Sequence, residues 1–141
     1  MLQVFESWGG ELSPHDFRKF SLPFLTQIAT RVKKALTAIN LIVPMAVFAR
    51  GSHYALEDLE KSPYDIVSLD WSISPPKARS IVKSKTLQGN ADPCLLYAEP
   101  ETIRKVAGDM VKAFGSQRYI ANLGHGMLPG TIFYEHYINL K

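Results

Sequence analysis

Residues 118–126 read RYIANLGHG, and this stretch organises the chain. Residues 119–123 are predicted to form a short buried strand, which is followed directly by Gly124, His125 and Gly126. The glycines would let the backbone turn sharply and leave the imidazole uncrowded. In α/β barrels, active-site groups lie at the C-terminal ends of the strands, which is where a histidine directly after an apolar strand would be placed. From this motif alone, a structural histidine is the more common alternative.

The same strand-loop-helix pattern recurs upstream. Apolar runs predict strands at 2–5, 41–49, 64–69 and 85–88 in addition to 119–123, although Pro44 disfavours pairing in the first half of the second run. Such strands alternating with amphipathic helices predict a parallel sheet with right-handed crossovers. Periodicity alone is compatible with two arrangements, a small open α/β sheet and part of a (β/α)₈ barrel, because a complete barrel needs ~250 residues.

Capping signals place the helices between these strands. Ser13 and Pro14 predict a helix start, with a short helix to about Phe20, and Ser21 with Pro23 predicts a second start. Residues 75–82 and 101–114 are predicted to be helical, the latter with a core-facing apolar stripe from Ile103 to Phe114. Residues 89–93 are predicted to form a turn-rich loop, and 93–97 a single helical turn.

Composition narrows the class of protein. The chain has 141 residues, which suits one domain or a piece of a larger one, and a formal charge of +3 without a dense basic tract disfavours nucleic-acid binding. No apolar run reaches the ~20 residues that span a membrane, and no signal peptide is recognisable. The single cysteine, Cys94, excludes an internal disulfide and fits a reducing compartment, so a cytoplasmic location is expected.

Five polar residues near strand ends are further candidates for a site. Asp70 could stabilise a cation, but capping of the next turn is favoured, and Arg50 could face either an anionic ligand or solvent. Asn90 and Asp92 are expected to bond the local backbone. Cys94 has no neighbouring base in the sequence and is expected to be a buried thiol.

Several segments in order resemble one family. RYIANLGHG closely resembles the C-terminal motif of the uroporphyrinogen decarboxylase family, and the resemblance extends to LQVFES at 2–7, VPM at 43–45, LDW at 69–71 and TLQGNADP at 86–93. It covers nearly the whole chain up to about Pro129.

The resemblance implies a fold and an activity. The family fold is a single (β/α)₈ TIM barrel that pairs as a homodimer. Its members remove carboxyl groups from the four acetate side chains of uroporphyrinogen to give coproporphyrinogen in haem synthesis, without metal or organic cofactor. Residues 1–129 are thus expected to be a partial barrel, about strands four to eight with intervening helices. Residues 130–141 (GTIFYEHYINLK) do not resemble the family's final helix and are expected to be a divergent tail, with Tyr134, His136 and Tyr137 non-functional.

Two residues match positions that contact substrate in the family, Ser7 and His125. The alternatives are purely structural roles, in which Ser7 shapes its loop and His125 is a structural histidine. The family's essential aspartate, its carboxylate-binding arginines and a substrate-contacting tyrosine would lie upstream of Met1, so no catalytic residue and no metal ligand is predicted here. A catalytically incompetent fragment is therefore the alternative function. A nucleotide-binding domain is disfavoured because a glycine-rich phosphate loop is missing.

Overall fold

The computed structural model describes residues 1–129 and contains one sheet of five parallel strands. The spatial order of the strands is their order in the chain, so each strand pairs with the one before it. This arrangement confirms the predicted α/β class and the number of strands. The strands are β1 (Leu2–Glu6), β2 (Met45–Ala49), β3 (Ile66–Ser68), β4 (Thr86–Ala91) and β5 (Tyr119–Leu123).

Helices connect successive strands. The α-helices are α1 (Pro14–Asp16), α2 (Leu22–Ala38), α3 (Leu56–Lys61), α4 (Pro75–Ile81) and α5 (Pro100–Phe114), with 3₁₀ turns at Gly9–Glu11, His53–Ala55 and Pro93–Tyr97. No helix within residues 1–129 is long and apolar enough to cross a membrane.

The helix starts were predicted only in part. The Ser13 side chain accepts a hydrogen bond from the Asp16 backbone N–H and caps α1, as predicted. Ser21 does not start a new helix, because a π-helical turn (Phe17–Ser21) continues α1 directly into α2. The Ser21 hydroxyl instead donates to the Glu6 carboxylate, a contact that joins this turn to the end of β1.

The helices cover one face of the sheet. One row of apolar side chains crosses all five strands in register on that face and contributes to the core: Val4, Val47, Val67, Leu87 and Tyr119. Because side chains alternate along a strand, the next row faces the other way. That row consists of Phe5, Phe48, Ser68, Gln88 and Ile120. The helix-free face is therefore polar in its centre and aromatic at one edge.

Two strand boundaries differ most from the prediction, the start of β2 and the end of β4. β2 begins at Met45 because Pro44 has no N–H to donate, although its carbonyl oxygen accepts from the Leu2 N–H. The prediction of a loop at residues 89–91 was wrong, because β4 continues to Ala91 and pairs with β5 up to Leu123. This pairing joins residues far apart in the chain, so local turn propensity did not indicate it.

The predicted core stripe of α5 is buried mainly at its two ends. Ile103 and Phe114 are buried, and the Phe114 ring stacks on Tyr119 with 4.4 Å between ring centroids. Val106 and Val111 remain exposed because α5 is the last helix of the described part and packs against α4 on one side. Gly115 ends the helix with φ +81°, as the sequence predicted.

Replacing Tyr64 with phenylalanine tests the packing of α2 on the sheet. The Tyr64 side chain is buried, its hydroxyl donates to the Leu25 carbonyl oxygen at 2.9 Å, and burial raises the pKa of the phenol to about 12. We expect Tyr64→Phe to lower the free energy of unfolding by about 1 kcal/mol, the usual contribution of one such hydrogen bond. Urea denaturation followed by circular dichroism measures the change, and an unaltered midpoint would contradict it.

Candidate functional site

A cleft of about 490 Å³ opens on the helix-free face at the C-terminal edge of the sheet. Functional groups gather at this edge in parallel α/β folds, because the loops that follow the strands meet there. The structure places Ser7 and His125, the two residues singled out from the sequence, in the wall of this cleft. Other lining residues are Gln3, Phe5, Phe48, Ser68, Leu69, Gln88, Asn122 and Met127.

His125 reaches the cleft because Gly124 permits a close approach. The Gly124 N–H donates to the Ala91 carbonyl oxygen at 2.7 Å, and a Cβ atom at this position would lie 2.7 Å from the Trp71 backbone nitrogen. The loop after β5 therefore rests on the loop after β3. The predicted sharp turn after β5 is confirmed by a bend at residues 124 and 125, although neither Gly124 nor Gly126 has a positive φ.

Aromatic rings flank the His125 imidazole. Its ring centroid lies 6.1 Å from that of Phe48 and 6.4 Å from that of Trp71, both in edge-to-face geometry. The imidazole nitrogens make no hydrogen bond to any residue among 1–129. Because the His125 side chain is exposed, its ring nitrogens are accessible to a ligand as well as to water.

Ser7 follows β1 on the same side of the sheet. Its side chain is exposed, and its hydroxyl makes no hydrogen bond within the described part of the chain. The neighbouring Glu6 carboxylate shapes this loop, because it accepts from the Trp8 N–H at 3.1 Å and from the Ser21 hydroxyl. The hydroxyl of Ser7 is thus available to a ligand in the cleft.

Asp70 joins the loops behind this cleft. Its Oδ1 atom lies 2.9 Å from His53 Nε2 and accepts from the backbone N–H and hydroxyl of Ser72, while Oδ2 accepts from the Gly51 N–H at 2.7 Å. Burial by itself would raise the pKa of Asp70, but these donors outweigh burial and hold the pKa well below its ordinary value. The predicted cap of the next turn is confirmed, and bonds to the loop after β2 extend it.

The His53, Asp70 and Ser72 side chains do not form a nucleophilic triad. One nitrogen, His53 Nε2, contacts both Asp70 Oδ1 and Ser72 Oγ, whereas a triad uses both ring nitrogens, one for each partner. The group therefore holds loops in place. No cluster of three or more metal-ligating side chains occurs in residues 1–129.

The profile of a family described as uroporphyrinogen decarboxylase (URO-D) matches residues 1–135. This chain belongs to the uroporphyrinogen decarboxylase family. Among its relatives, the uroporphyrinogen decarboxylase of Ovis aries is 52% identical over 130 residues, covering 91% of this chain and 35% of that protein. The proteins of that name from Salinibacter ruber and Homo sapiens are each 50% identical over 130 residues, covering 92% and 91% of this chain and 36% and 35% of their own lengths. The chain thus spans about a third of the length of these relatives.

Of three predictions about residues 90–94 of this uroporphyrinogen decarboxylase family chain, the structure confirms one. Asn90 was expected to bond locally, but its side-chain amide donates to the Asp70 and Ile73 carbonyl oxygens at 2.9 and 2.7 Å. Cys94 was expected to be buried, but it is exposed, because it lies on a surface 3₁₀ turn. The local bond of Asp92 is confirmed, since its carboxylate accepts from the Cys94 N–H.

Arg50 lies at the mouth of a smaller recess of about 250 Å³ that also includes Ser7, Trp71 and Ser72. Its guanidinium forms neither an ion pair nor a hydrogen bond with residues 1–129.

A larger cavity of about 570 Å³ lies at the opposite, N-terminal edge of the strands. Its polar groups are occupied by structural contacts, since Asp65 accepts from the Met45 N–H and pairs with Lys33 at 2.7 Å. Ser7 and His125, the two residues singled out from the sequence, line the smaller cleft. We therefore assign the candidate site of this uroporphyrinogen decarboxylase family chain to the C-terminal edge.

The sequence did not single out the residues that build the walls and floor of the cleft. Phe48 and Gln88 lie within predicted strands, and nothing in the local pattern marks their side chains as facing a ligand rather than the core. The strand pairing does so, because it places both on the helix-free row beside Ser68.

Proposed function

We propose that this chain forms the C-terminal part of a site that decarboxylates the acetate side chains of uroporphyrinogen. Family membership supports the reaction class. Support for the site comes chiefly from one observation. Ser7 and His125, which come from opposite ends of the sheet, line the same cleft with their polar atoms unused by residues 1–129.

The sheet supports the finer proposal that these strands are about the fourth to eighth of a (β/α)₈ barrel. A doubly wound sheet reverses its strand order and carries helices on both faces. Here the order runs β1 to β5 without reversal, and the helical core lies against one face. The helix-free face would then be the barrel interior, and the cleft would lie at its functional end.

The chemistry requires an acid and positive charge near the reacting pyrrole. Loss of carbon dioxide breaks the bond between the carboxyl carbon and the methylene, and the electron pair moves into a ring that has first been protonated. His125 would hydrogen-bond a carboxylate or transfer a proton, and Ser7 would donate to a carboxylate oxygen. Arg50, beside Ser7, would pair with one of the spectator carboxylates.

A second candidate is a catalytically incompetent fragment. The lining of the cleft favours it, because the described residues around it include neither an aspartate nor an arginine, the residue types that the family resemblance implies for catalysis and carboxylate binding. We further propose, from the family resemblance, homodimeric pairing and a cytoplasmic location, with residues 130–141 a divergent tail. That tail, with Tyr134, His136 and Tyr137, lies outside the described residues.

Anaerobic turnover separates the two candidates. The purified chain is incubated with uroporphyrinogen beside a full-length relative, and the products are oxidised and counted by their carboxyl groups. Loss of carboxyl groups above the blank would support an active site within this chain. No turnover beside an active full-length relative would support the fragment alternative.

Binding tests the site even without turnover. We expect His125→Ala to weaken the affinity of the chain for uroporphyrinogen about 10- to 100-fold, because a hydrogen bond to a charged group is lost. Anaerobic isothermal titration measures the affinity. The matched control is His15→Ala, since His15 is an exposed histidine of α1 that does not line the cleft. Equal affinities for all three proteins would contradict the proposed site.

A further inference from the structure

A loop at the N-terminal edge of the sheet exposes three aliphatic side chains, here called the aliphatic patch. Ile39, Leu41 and Ile42, in the connection from α2 to β2, are 64%, 48% and 96% exposed. The loop has a defined conformation, because the Leu41 N–H donates to the Leu36 carbonyl oxygen at 2.9 Å and Asn40 adopts φ +57°. Aliphatic side chains exposed singly are ordinary, whereas three within four positions form a patch of the kind that marks a contact surface.

Basic residues follow the same edge beside the aliphatic patch. Lys33 and Arg118 line the same cavity as Ile42. The Arg79 guanidinium donates to the Lys85 and Arg118 carbonyl oxygens at 3.0 and 2.8 Å, which places it at this edge as well. The basic residues of this edge considered below are Lys33, Arg79, Lys83, Lys85 and Arg118.

Much of this positive charge is not neutralised within residues 1–129. Arg79, Lys85 and Arg118 donate to backbone carbonyl oxygens, which satisfy their hydrogen bonds but carry no net charge. The carboxylates beside the five cations are Asp65 and Glu60. Together the five cations and two carboxylates carry a net charge of +3, which equals the formal charge of the whole chain. The positive excess of the chain is therefore concentrated beside the aliphatic patch.

We propose that this edge of the sheet binds the surface of an anionic lipid bilayer, with Ile39, Leu41 and Ile42 inserted among the acyl chains. Peripheral proteins bind membranes by burying apolar side chains and by attracting anionic headgroups to lysine and arginine, and this edge offers both. Protein interfaces are instead enriched in aromatic residues and depleted in lysine. The inference does not depend on the proposed function.

The proposed orientation leaves the candidate site open. Ser7 and His125 lie at the opposite, C-terminal edge, which strands of about five residues separate from the bilayer by roughly 16 Å. Trp8 and Trp71 follow the C-terminal ends of β1 and β3, so both indoles would lie away from the lipid. Their fluorescence therefore reports which edge of the sheet contacts the bilayer.

Flotation with phospholipid vesicles tests the proposal. We expect the 141-residue chain to bind vesicles with about 30% phosphatidylserine at least about 10-fold more tightly than pure phosphatidylcholine vesicles. Ile42→Ser should weaken binding to the anionic vesicles about 10-fold, because an inserted aliphatic side chain is lost. Lys83→Gln should weaken it about fivefold, because a cation near the headgroups is lost.

Phe24→Ser is the matched control for Ile42→Ser. Phe24 is 62% exposed, but it lies in the first turn of α2, at the other end of this helix from the aliphatic patch. Its replacement should leave vesicle binding unchanged. Thermal unfolding followed by circular dichroism should give the same midpoint for Ile42→Ser and the parent chain, since Ile42 makes little contact with the fold.

Brominated lipids test the orientation. In the bound state they should quench the additional fluorescence of Ile42→Trp and leave that of Trp8 and Trp71 in the parent chain unquenched. Quenching of the parent chain would place the other edge on the bilayer and overturn the proposal. Absence of binding to anionic vesicles at low ionic strength would also overturn it. So would an Ile42→Ser variant that loses self-association but binds vesicles as the parent does, because the patch would then join copies of this chain.

Discussion

Gly89→Ala should lower the free energy of unfolding by roughly 3–5 kcal/mol, a large part of the stability of a domain of this size. Gly89 has φ +134°, where side chains are strained, and a Cβ atom there would lie 2.5 Å from the Leu69 carbonyl oxygen. Neither the Leu69 backbone nor the Gly89 backbone can move away easily, because each is held by a hydrogen bond. The Leu69 N–H donates to the Gln88 carbonyl oxygen at 2.8 Å, and the Gly89 carbonyl oxygen accepts from the Tyr119 hydroxyl.

Urea denaturation followed by the fluorescence of Trp8 and Trp71 measures the loss. Gly108→Ala is the matched control, because Gly108 lies within α5 and a Cβ atom there would meet nothing within 4 Å. This control should raise the free energy of unfolding by about 0.5–1 kcal/mol, since alanine is the better helix former. Similar effects of the two substitutions would contradict the strain assigned to Gly89.

Asp70→Asn should lower the free energy of unfolding by roughly 2–4 kcal/mol at neutral pH. All four groups around the Asp70 carboxylate donate to it, so the amide of asparagine would direct its NH₂ group at another donor in either orientation. The loops after β2 and β3 would separate, and the packing of these loops against Trp71 and His125 would weaken.

The pH dependence gives this prediction a sign. The folded-state pKa of Asp70 is lowered, so its contribution to stability is complete above the unfolded-state value of about 3.9 and declines as pH falls below it. The difference in stability between the parent chain and Asp70→Asn should therefore shrink as pH falls from about 5 toward 3. Chemical denaturation across this range measures the difference.

Asp109→Asn is the control for Asp70→Asn, because the Asp109 carboxylate pairs with Lys105 on the exposed surface of α5. Little change is expected there, since exposed pairs contribute little to stability. A difference between the parent chain and Asp70→Asn that stays constant with pH would contradict the role given to the carboxylate.

Local pattern predicted the strands well and their partners poorly. The run YIANL gave the bounds of β5 correctly. The prediction that this strand is buried was wrong, because β5 is the last strand of the described sheet and none of its five residues is buried. The end of β4 was missed because Gly89 and Asn90 are turn formers by local propensity, whereas strand pairing and the bonds of Asn90 to the loop after β3 determine their conformation.

The candidate site, like the sheet, was predicted only in part from the sequence. Position after a strand and family resemblance placed Ser7 and His125 on one edge, and the structure brings them into one cleft. Their roles in binding stay predictions. The contacts of Asp70 with Gly51 and His53, like the position of Gln88 on the helix-free face, follow from strand register. They could not be derived from short-range patterns.

The uninterrupted strand order bears on how the chain assembles during synthesis. Within residues 1–129, each strand from β2 to β5 finds one pairing partner already made when it emerges from the ribosome, because that partner is the strand before it. This part of the sheet can therefore grow in one direction at the pace of translation, whereas closure of the proposed barrel would join its first and last strands only at the end. Until the next strand arrives, the growing edge of the sheet is exposed, and that edge is where a chaperone or a misplaced strand would bind.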